Sequence, residues 1–361
     1  MIQSAEACAF KVPTDLPESD GTLKWDSTTL ILVTLGAGTV RGLGYSYSHE
    51  CGIPLIRKKL FPIILGKSPF SISALWREMN AAVRNLGRDG IVSSAIAAVE
   101  IALWDLKSKL LDISLLKLLD GQREKIPVYG SGGFTSYSET QLRDQFQNWA
   151  AEGITMVKMK VGREPDKDPE RVKWARQAVG AAPQLFVDAN GAYSRKQSAA
   201  MAAKFSSHQI SWFEEPVSSD DLNGLRFVRE RVGDGIEISA GEYNYDVWQA
   251  RRMLENGAVD VLQADATRCG VAGFFEMADL CEAFQTPFSS HTAPALHGHL
   301  CCAAKRARHA EYFHDHVRIE QLFFEGATTR QQNGFLSPDL SQPGLGLEFK
   351  RKDAAKFQIK I

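Results

Sequence analysis

Three acidic residues, Asp188 in FVDANG, Glu214 in WFEEP and Glu242 in ISAGE, each close a short apolar run, and they stand 26 and 28 residues apart. Apolar runs at that interval, with helix-like sequence between them, suit consecutive strand–helix units of a parallel barrel. In such a barrel the side chains at the C-terminal strand ends converge on one pocket. Three carboxylates meeting there call for a cation. Asp and Glu supply hard oxygen ligands and no Cys or His shares the pattern, so Mg²⁺ retaining some of its waters is favoured over Zn²⁺.

The elements that must position these residues are legible around them. Residues 23–34, LKWDSTTLILVT, are rich in β-branched and aromatic residues, and GAGTVRGLGYSYS after them reads as a turn and a second strand, the start of an α+β segment. Residues 93–112, SSAIAAVEIALWDLKSKLLD, carry a Ser start signal and apolar positions at 95, 98, 102, 103 and 106, a near-3.6 period that predicts a long helix. From residue 126 the pattern alternates. IPVYGS, TMVKMKVG, QLFVDANG, ISWFEEP, IEISAGE, VDVLQAD, TPFSSH and AEYF read as eight strands, with helical stretches such as DPERVKWARQAVG and DVWQARRMLENG between them. The candidate site residues fall at or just beyond the C-terminal ends of these strands. The turn-rich tail, GFLSPDLSQPGLGLEFKRKDAAKFQI, is expected to return to the first segment. The expected division is a cap over residues 1–125, a barrel over 126–325 and a C-terminal segment over 326–361.

In bulk the chain is ordinary: 361 residues, 42 basic against 43 acidic, and 44% hydrophobic. No broad basic field is available to draw a nucleic-acid backbone or an anionic membrane, so neither partner is expected. The start, MIQSAEACAFKVPTDLPESDG, lacks a basic segment followed by a long apolar stretch, and no run approaches the roughly 20 apolar residues of a membrane span. A soluble, cytoplasmic protein is expected. Six cysteines (Cys8, Cys51, Cys269, Cys281, Cys301, Cys302) form no CxxC and are too sparse for a disulfide scaffold. Cys301 and Cys302 sit in HGHLCCAAK, which reads as a helix packing small residues.

Taken singly the motifs are weak. Lys158-x-Lys160 in a chain with 24% charged residues is ordinarily a solvated strand edge, Asp188-x-Asn190 a turn, and Glu214-Glu215-Pro216 a strand cap. Their order changes this. From the ALWD helix through the PGLGLE tail, the chain resembles the enolase superfamily, in its mandelate racemase-like group (mandelate racemase/muconate lactonizing enzyme family). The resemblance places Lys158 and Lys160 on the family's Lys-x-Lys motif, and Asp188, Glu214 and Glu242 on its three Mg²⁺ ligands. Asp265 in QADATRCG and His291 in SSHTAP fall on its His–Asp dyad, and Glu311 in HAEYF on its strand-eight acid. Ser131 in VYGSGG resembles a substrate-carboxylate contact, and Asn190 and Glu311 join it as expected substrate contacts. The fold implied is a (β/α)7β TIM-like barrel with an α+β N-terminal capping domain completed by the C-terminal tail. A homo-oligomer with one Mg²⁺ per subunit, acting on a small-molecule carboxylate, is likewise implied.

Enolase-superfamily sites use a Lys or His base with Mg²⁺ to remove the proton beside a carboxylate, and the resemblance implies that chemistry here. In a strand, residues i and i+2 share a face, so Lys158 and Lys160 both point inward. Each cation should disfavour protonation of the other, leaving one amine as a base near neutral pH. The resemblance gives that role to Lys160, with Lys158 stabilising the substrate carboxylate. Asp265 is placed to fix the tautomer of His291 and stabilise its imidazolium. Two proton carriers on opposite faces allow racemisation or epimerisation; equally, one can take the α-proton while the other helps expel a β-hydroxyl. A binding protein that has kept the barrel without turnover is a third reading, disfavoured because every expected catalytic residue type is present.

Residues 14–22, TDLPESDGT, form a polar, acidic segment expected to bind hydroxyls through Asp15, Glu18, Ser19 and Asp20, where an aryl substrate would want an apolar lid. The expectation is therefore an acid-sugar dehydratase giving a 2-keto-3-deoxy acid, with a racemase or epimerase as the alternative. Arg268 stands near where muconate lactonizing enzymes carry a catalytic lysine, which argues against that group. His314-Asp315-His316 offers two imidazoles at i and i+2, but no third ligand is spaced for a second metal, so a hydrogen-bonding role is expected.

Overall fold

The computed structural model describes residues 1–327, 330–331 and 333–361. The first three strands, β1 (Ser4–Ser19), β2 (Lys24–Ala37) and β3 (Val40–Tyr47), form an antiparallel sheet in that order. Strand alternation sorts its side chains between two cores. Phe10, Val12, Leu30, Leu32 and Tyr45 join the core shared with the barrel, while Ala9, Ile31, Val33 and Leu35 join a separate core with the helices of the cap. The helix read at residues 93–112 is α1 (Ile91–Leu110). Its buried Asp105 accepts from the backbone N–H of Leu43 (2.8 Å) and of Leu345 (2.7 Å), tying β3 and the tail to one carboxylate.

Eight parallel strands follow: β4 (Ile126–Gly132), β5 (Met156–Lys160), β6 (Gln184–Asp188), β7 (Ile210–Glu214), β8 (Glu237–Ala240), β9 (Val261–Ala264), β10 (Phe288–Ser290) and β11 (Ala307–Phe313). Pairing of β11 with β4 closes them into a barrel, and they coincide with the eight apolar runs of the sequence. The helices after them are α2 (Glu139–Ala151), α3 (Asp168–Val179), α4 (Arg195–Ser206), α5 (Leu222–Arg229), α6 (Val247–Glu255), α7 (Ala266–Phe284, broken at Gly270), α8 (Pro294–Ala303) and α9 (His314–Phe323). Ser138, Ser194, Asp221 and Asp246 cap α2, α4, α5 and α6, each side chain accepting the N–H three residues on and satisfying a donor that a helix start leaves orphaned. Cys301 and Cys302 are buried and unpaired in α8.

Within the barrel, Tyr129, Phe186, Trp212 and Val261 form an apolar plug, with Phe186 and Trp212 stacked at 5.2 Å between centroids. Burying a side chain such as Phe186 stabilises the fold by about 1.5–3 kcal/mol. Because side chains alternate along a strand, the residues two positions beyond Phe186 and Trp212, Asp188 and Glu214, face the same interior one layer higher. The tail reaches the barrel first, where Phe335–Leu336 pairs antiparallel with the start of β4. It reaches the cap sheet last, where the Ile359 N–H donates to the Ala9 carbonyl at 2.9 Å. No helix among the described residues is long and apolar enough to cross a membrane.

Candidate active site

The backbone turns sharply just beyond the strands that carry the acidic residues. Asn190 (φ 46°), Glu215 (φ 37°) and Thr292 (φ 53°) adopt left-handed conformations that non-glycine residues rarely hold, a strain that collects at functional sites. Before Glu242 the same task falls to Gly241 (φ 133°), where a Cβ would stand 2.2 Å from the Gln263 carbonyl oxygen. Carboxylate oxygens of Asp188, Glu214 and Glu242 thereby come within 4.8 Å of one another.

Two lysines are the counter-charges of this cluster. Lys158 Nζ lies 2.6 Å from Glu214 Oε1, 2.9 Å from Glu311 Oε1 and 3.4 Å from Asp188 Oδ2, and Lys160 Nζ lies 2.5 Å from Asp188 Oδ2. Burial works against both ammonium groups, yet Glu214 and Glu311 hold Lys158, and Asp188 holds Lys160, above the ordinary lysine range. The carboxylates thus outweigh the mutual repulsion from which one amine near neutrality was expected, and a cation held by Asp188 and Glu214 would offset part of that pull. Burial likewise opposes ionisation of Asp188, but Lys160 and Lys158 hold it below the usual carboxylate range. Burial, and then the charge of Asp188, pushes the Glu214 carboxyl well up. Glu215, read from the sequence only as part of a strand cap, lies buried beside the cluster, and burial followed by the charge of Glu242 raises it as well. Glu242 Oε2 is buried and receives no hydrogen bond, its neighbour His291 Nε2 standing 3.3 Å away. An all-oxygen donor set with repelling carboxyls and an unsatisfied buried oxygen fits a hard divalent cation.

His291 Nδ1 lies 2.9 Å from Asp265 Oδ2, while Asp265 Oδ1 accepts the Thr267 N–H (2.8 Å) and hydroxyl (2.7 Å) as the N-cap of α7. One carboxylate thus starts a helix and orients the imidazole. It favours the proton on Nδ1 and leaves Nε2 facing the cluster. Burial opposes the charge on Asp265, but His291 and then Arg268 hold it below the usual range. Arg268 was not assigned a site role from the sequence. Its Nη1 donates to the Glu242 carbonyl oxygen at 2.7 Å and its Nε lies 3.6 Å from Asp265 Oδ2, so it links metal cluster and dyad. The available signal was its place three residues after Asp265, one turn into the helix that Asp265 caps.

Above these groups is a cavity of about 390 Å³, lined from the barrel by Lys160, Asn190, Glu242, Asp265, Arg268 and His291, and from the cap by residues that include Asp20, Leu23, Trp25, Thr29 and Ser48. Other expected contacts lie elsewhere. Ser131 pairs in register with Lys158, not Lys160, and is fully buried one layer down with its hydroxyl outside the cavity lining. Glu311 is buried too, its Oε2 accepting the Thr292 N–H at 2.7 Å. Residues 14–19 continue β1 with a register shift between Pro13 and Glu18. Asp15 pairs with His314 at 2.9 Å, outside this cavity. Glu18 is fully buried under Trp25, whose Nε1 donates to it at 2.7 Å, and burial together with the Asp315 charge pushes its carboxyl up to about 9. Only Asp20 of these acids lines the cavity, its Oδ1 accepting the N–H groups of Thr22 and Leu23, each at 2.6 Å. Leu23 and Trp25, which follow the polar segment 14–22, line the cavity from the cap as well. His316 stacks on Tyr47 with centroids 3.3 Å apart, whereas His314 faces Asp15 and Glu18.

Comparison with known proteins finds similar proteins over nearly the whole chain. A crystal structure of a mandelate racemase/muconate lactonizing enzyme-like protein from Rubrobacter xylanophilus is 49% identical, with a TM-score of 0.97 over 99% of both chains. L-talarate/galactarate dehydratase from Salmonella typhimurium LT2, solved with Mg and L-lyxarohydroxamate, superimposes with a TM-score of 0.90 at 25% identity, over 99% of this chain and 93% of that one. D-galactarolactone cycloisomerase of Agrobacterium fabrum (strain C58) is 28% identical over 96% of this chain and 95% of its own. Residues 141–354 match the enolase C-terminal domain-like family and residues 5–120 the mandelate racemase/muconate lactonizing enzyme N-terminal domain. The chain belongs to the mandelate racemase-like group of the enolase superfamily.

Proposed function

We propose that the protein dehydrates an acid sugar to a 2-keto-3-deoxy acid, with Mg²⁺ held by Asp188, Glu214 and Glu242. The carrying observation is that Lys160 and the Asp265-oriented His291 reach one cavity beside that carboxylate cluster from strands nearly opposite on the rim. When bound, the ion supplies positive charge to the substrate carboxylate as the neighbouring carbon loses its proton. One of Lys160 and His291 takes the α-proton. The electron pair left behind forms a carbon–carbon double bond as the β C–O bond breaks, and the other carrier, protonated, delivers the proton with which the hydroxyl leaves as water. The resulting enol tautomerises to the keto acid. Relatives named as arabinonate dehydratase and L-talarate/galactarate dehydratase support this reading.

The same pair of proton carriers also supports a racemase or epimerase acting on one carbon. A screen of mono- and diacid sugars with Mg²⁺ in ²H₂O separates the two: dehydration yields a semicarbazide-reactive keto acid, whereas epimerisation yields a deuterated stereoisomer. Lys160→Ala and His291→Asn should each lose about 10²-fold or more of turnover, as removal of a general acid or base does. Full activity in both variants overturns the assignment.

A further inference from the structure

We infer that the substrate carries one carboxylate and an uncharged polyhydroxyl tail, the aldonic and not the aldaric class of acid sugar. This rests on the reaction proposed above. Among the described residues lining the cavity, the Lys and Arg cations are Lys160 and Arg268, both on the barrel floor. Both are committed: Lys160 to Asp188 at 2.5 Å, and Arg268 to the Glu242 carbonyl oxygen at 2.7 Å with Asp265 at 3.6 Å. They can meet the carboxylate at the reacting end. The far wall, built from the start of β2 and the residues after β3, has nothing equivalent.

On that wall stands the Asp20 carboxylate. Arg163 is nearby but exposed; it donates to the Asp20 carbonyl oxygen at 3.1 Å and is not part of the lining. His49, with Glu50 3.5 Å from its Nδ1, and the Tyr47 phenol, held neutral by burial, complete the ionisable groups of the wall. A second substrate carboxylate would leave water for a surface with an acid of its own sign and no fixed cation, an arrangement that costs affinity through both desolvation and repulsion. Hydroxyls suit the wall better. Thr29 and Ser48 line the cavity, and their hydroxyls, each able to donate and accept, have no protein hydrogen-bond partner among the described residues. Leu23, 62% exposed, and Trp25 offer apolar surface to the C–H face of a sugar chain.

The test uses the Mg²⁺-loaded protein and configurationally matched pairs, gluconate against glucarate and galactonate against galactarate, reading keto-acid formation and α-proton exchange in ²H₂O. The aldonate of the preferred configuration should exceed its aldarate in kcat/KM by about tenfold or more. Asp20→Asn, which keeps an oxygen for the Thr22 and Leu23 N–H groups, should narrow that ratio, and Leu23→Lys should narrow or invert it. Aldarates turned over as well as or better than aldonates overturn the inference while leaving the reaction standing. A ratio unmoved by both variants also overturns it. Neither exchange nor keto acid from any of the four acids overturns the reaction, and the inference falls with it.

Discussion

The barrel floor of the cavity and the cap wall above it differ in how their polar groups are partnered. On the floor a single ammonium, that of Lys158, touches Glu214, Glu311 and Asp188, and Asp265 both caps α7 and holds His291. On the wall Thr29 and Ser48 line the cavity, their hydroxyls have no protein partners among the described residues, and Leu23 is largely exposed. The floor is over-determined because the common chemistry of the family needs fixed charges at fixed places. The wall is sparsely bonded, which leaves it free to vary with the substrate's tail.

Breaking the floor should have the largest effect. Lys158→Met strips the Glu214, Glu311 and Asp188 carboxylates of a buried partner, and removing one member of a buried ion cluster costs about 3–5 kcal/mol. Urea unfolding in EDTA should show that loss, and saturating Mg²⁺ should reduce it because the ion supplies another counter-charge. An equal loss with and without Mg²⁺ would mean that Asp188 and Glu214 do not share the metal site.

Separating wall from floor should cost less. The turn of the lid sits directly on the rim: a Cβ at Gly21 would stand 2.4 Å from the Ala189 carbonyl oxygen and 2.8 Å from that of Val161, backbone atoms that cannot swing aside. Gly21→Ala should therefore lift the turn, lowering stability by about 1–3 kcal/mol, the usual penalty for overpacking. It should raise KM for the substrate more than it lowers the maximal rate of α-proton exchange. If kcat falls instead and KM holds, the wall positions the reacting groups and the division drawn here between floor and wall is wrong.

The same division governs what could be read in the chain itself. Asp188, Glu214 and Glu242 were legible because a parallel barrel turns their sequence interval into neighbouring strand ends, and strand alternation carries Phe186 to Asp188 and Trp212 to Glu214 along one interior face. Alternation alone could not set the level of Ser131, since its pairing with Lys158 and not Lys160 is a matter of register between strands. Nor could it foresee the direction of the lysine shifts, which depends on carboxylates brought in from other strands. In TDLPESDGT the composition was correctly polar, but the directions of its side chains follow from the register shift after Pro13 and the seat of Gly21. Trp25, read only as a strand former, proves to be the residue that covers Glu18 and reaches the cavity.

Glu18 provides the most local test of the wall. Its folded-state carboxyl lies at about 9 because burial, and then Asp315, oppose its charge, whereas in the unfolded chain it titrates near the ordinary glutamate value of 4.5. Below that value both states hold the proton and the group contributes no pH dependence. Between the two values the unfolded chain releases the proton and the folded one keeps it, so stability falls as pH rises, by at most about 1.4 kcal/mol per pH unit. Glu18→Gln, which can still accept from Trp25, removes this contribution. The stability of the variant relative to the wild type should therefore climb from pH 5 to pH 9 and level off above. Glu100 and Glu320, raised to about 7 and about 8 chiefly by burial, bend both curves in the same sense and cancel in the difference. A difference that stays flat across this range would mean that Glu18 is ionised under the lid. The wall would then carry a second negative charge behind Asp20, which would sharpen the exclusion of a dicarboxylate but remove the neutral seat on which Trp25 is held.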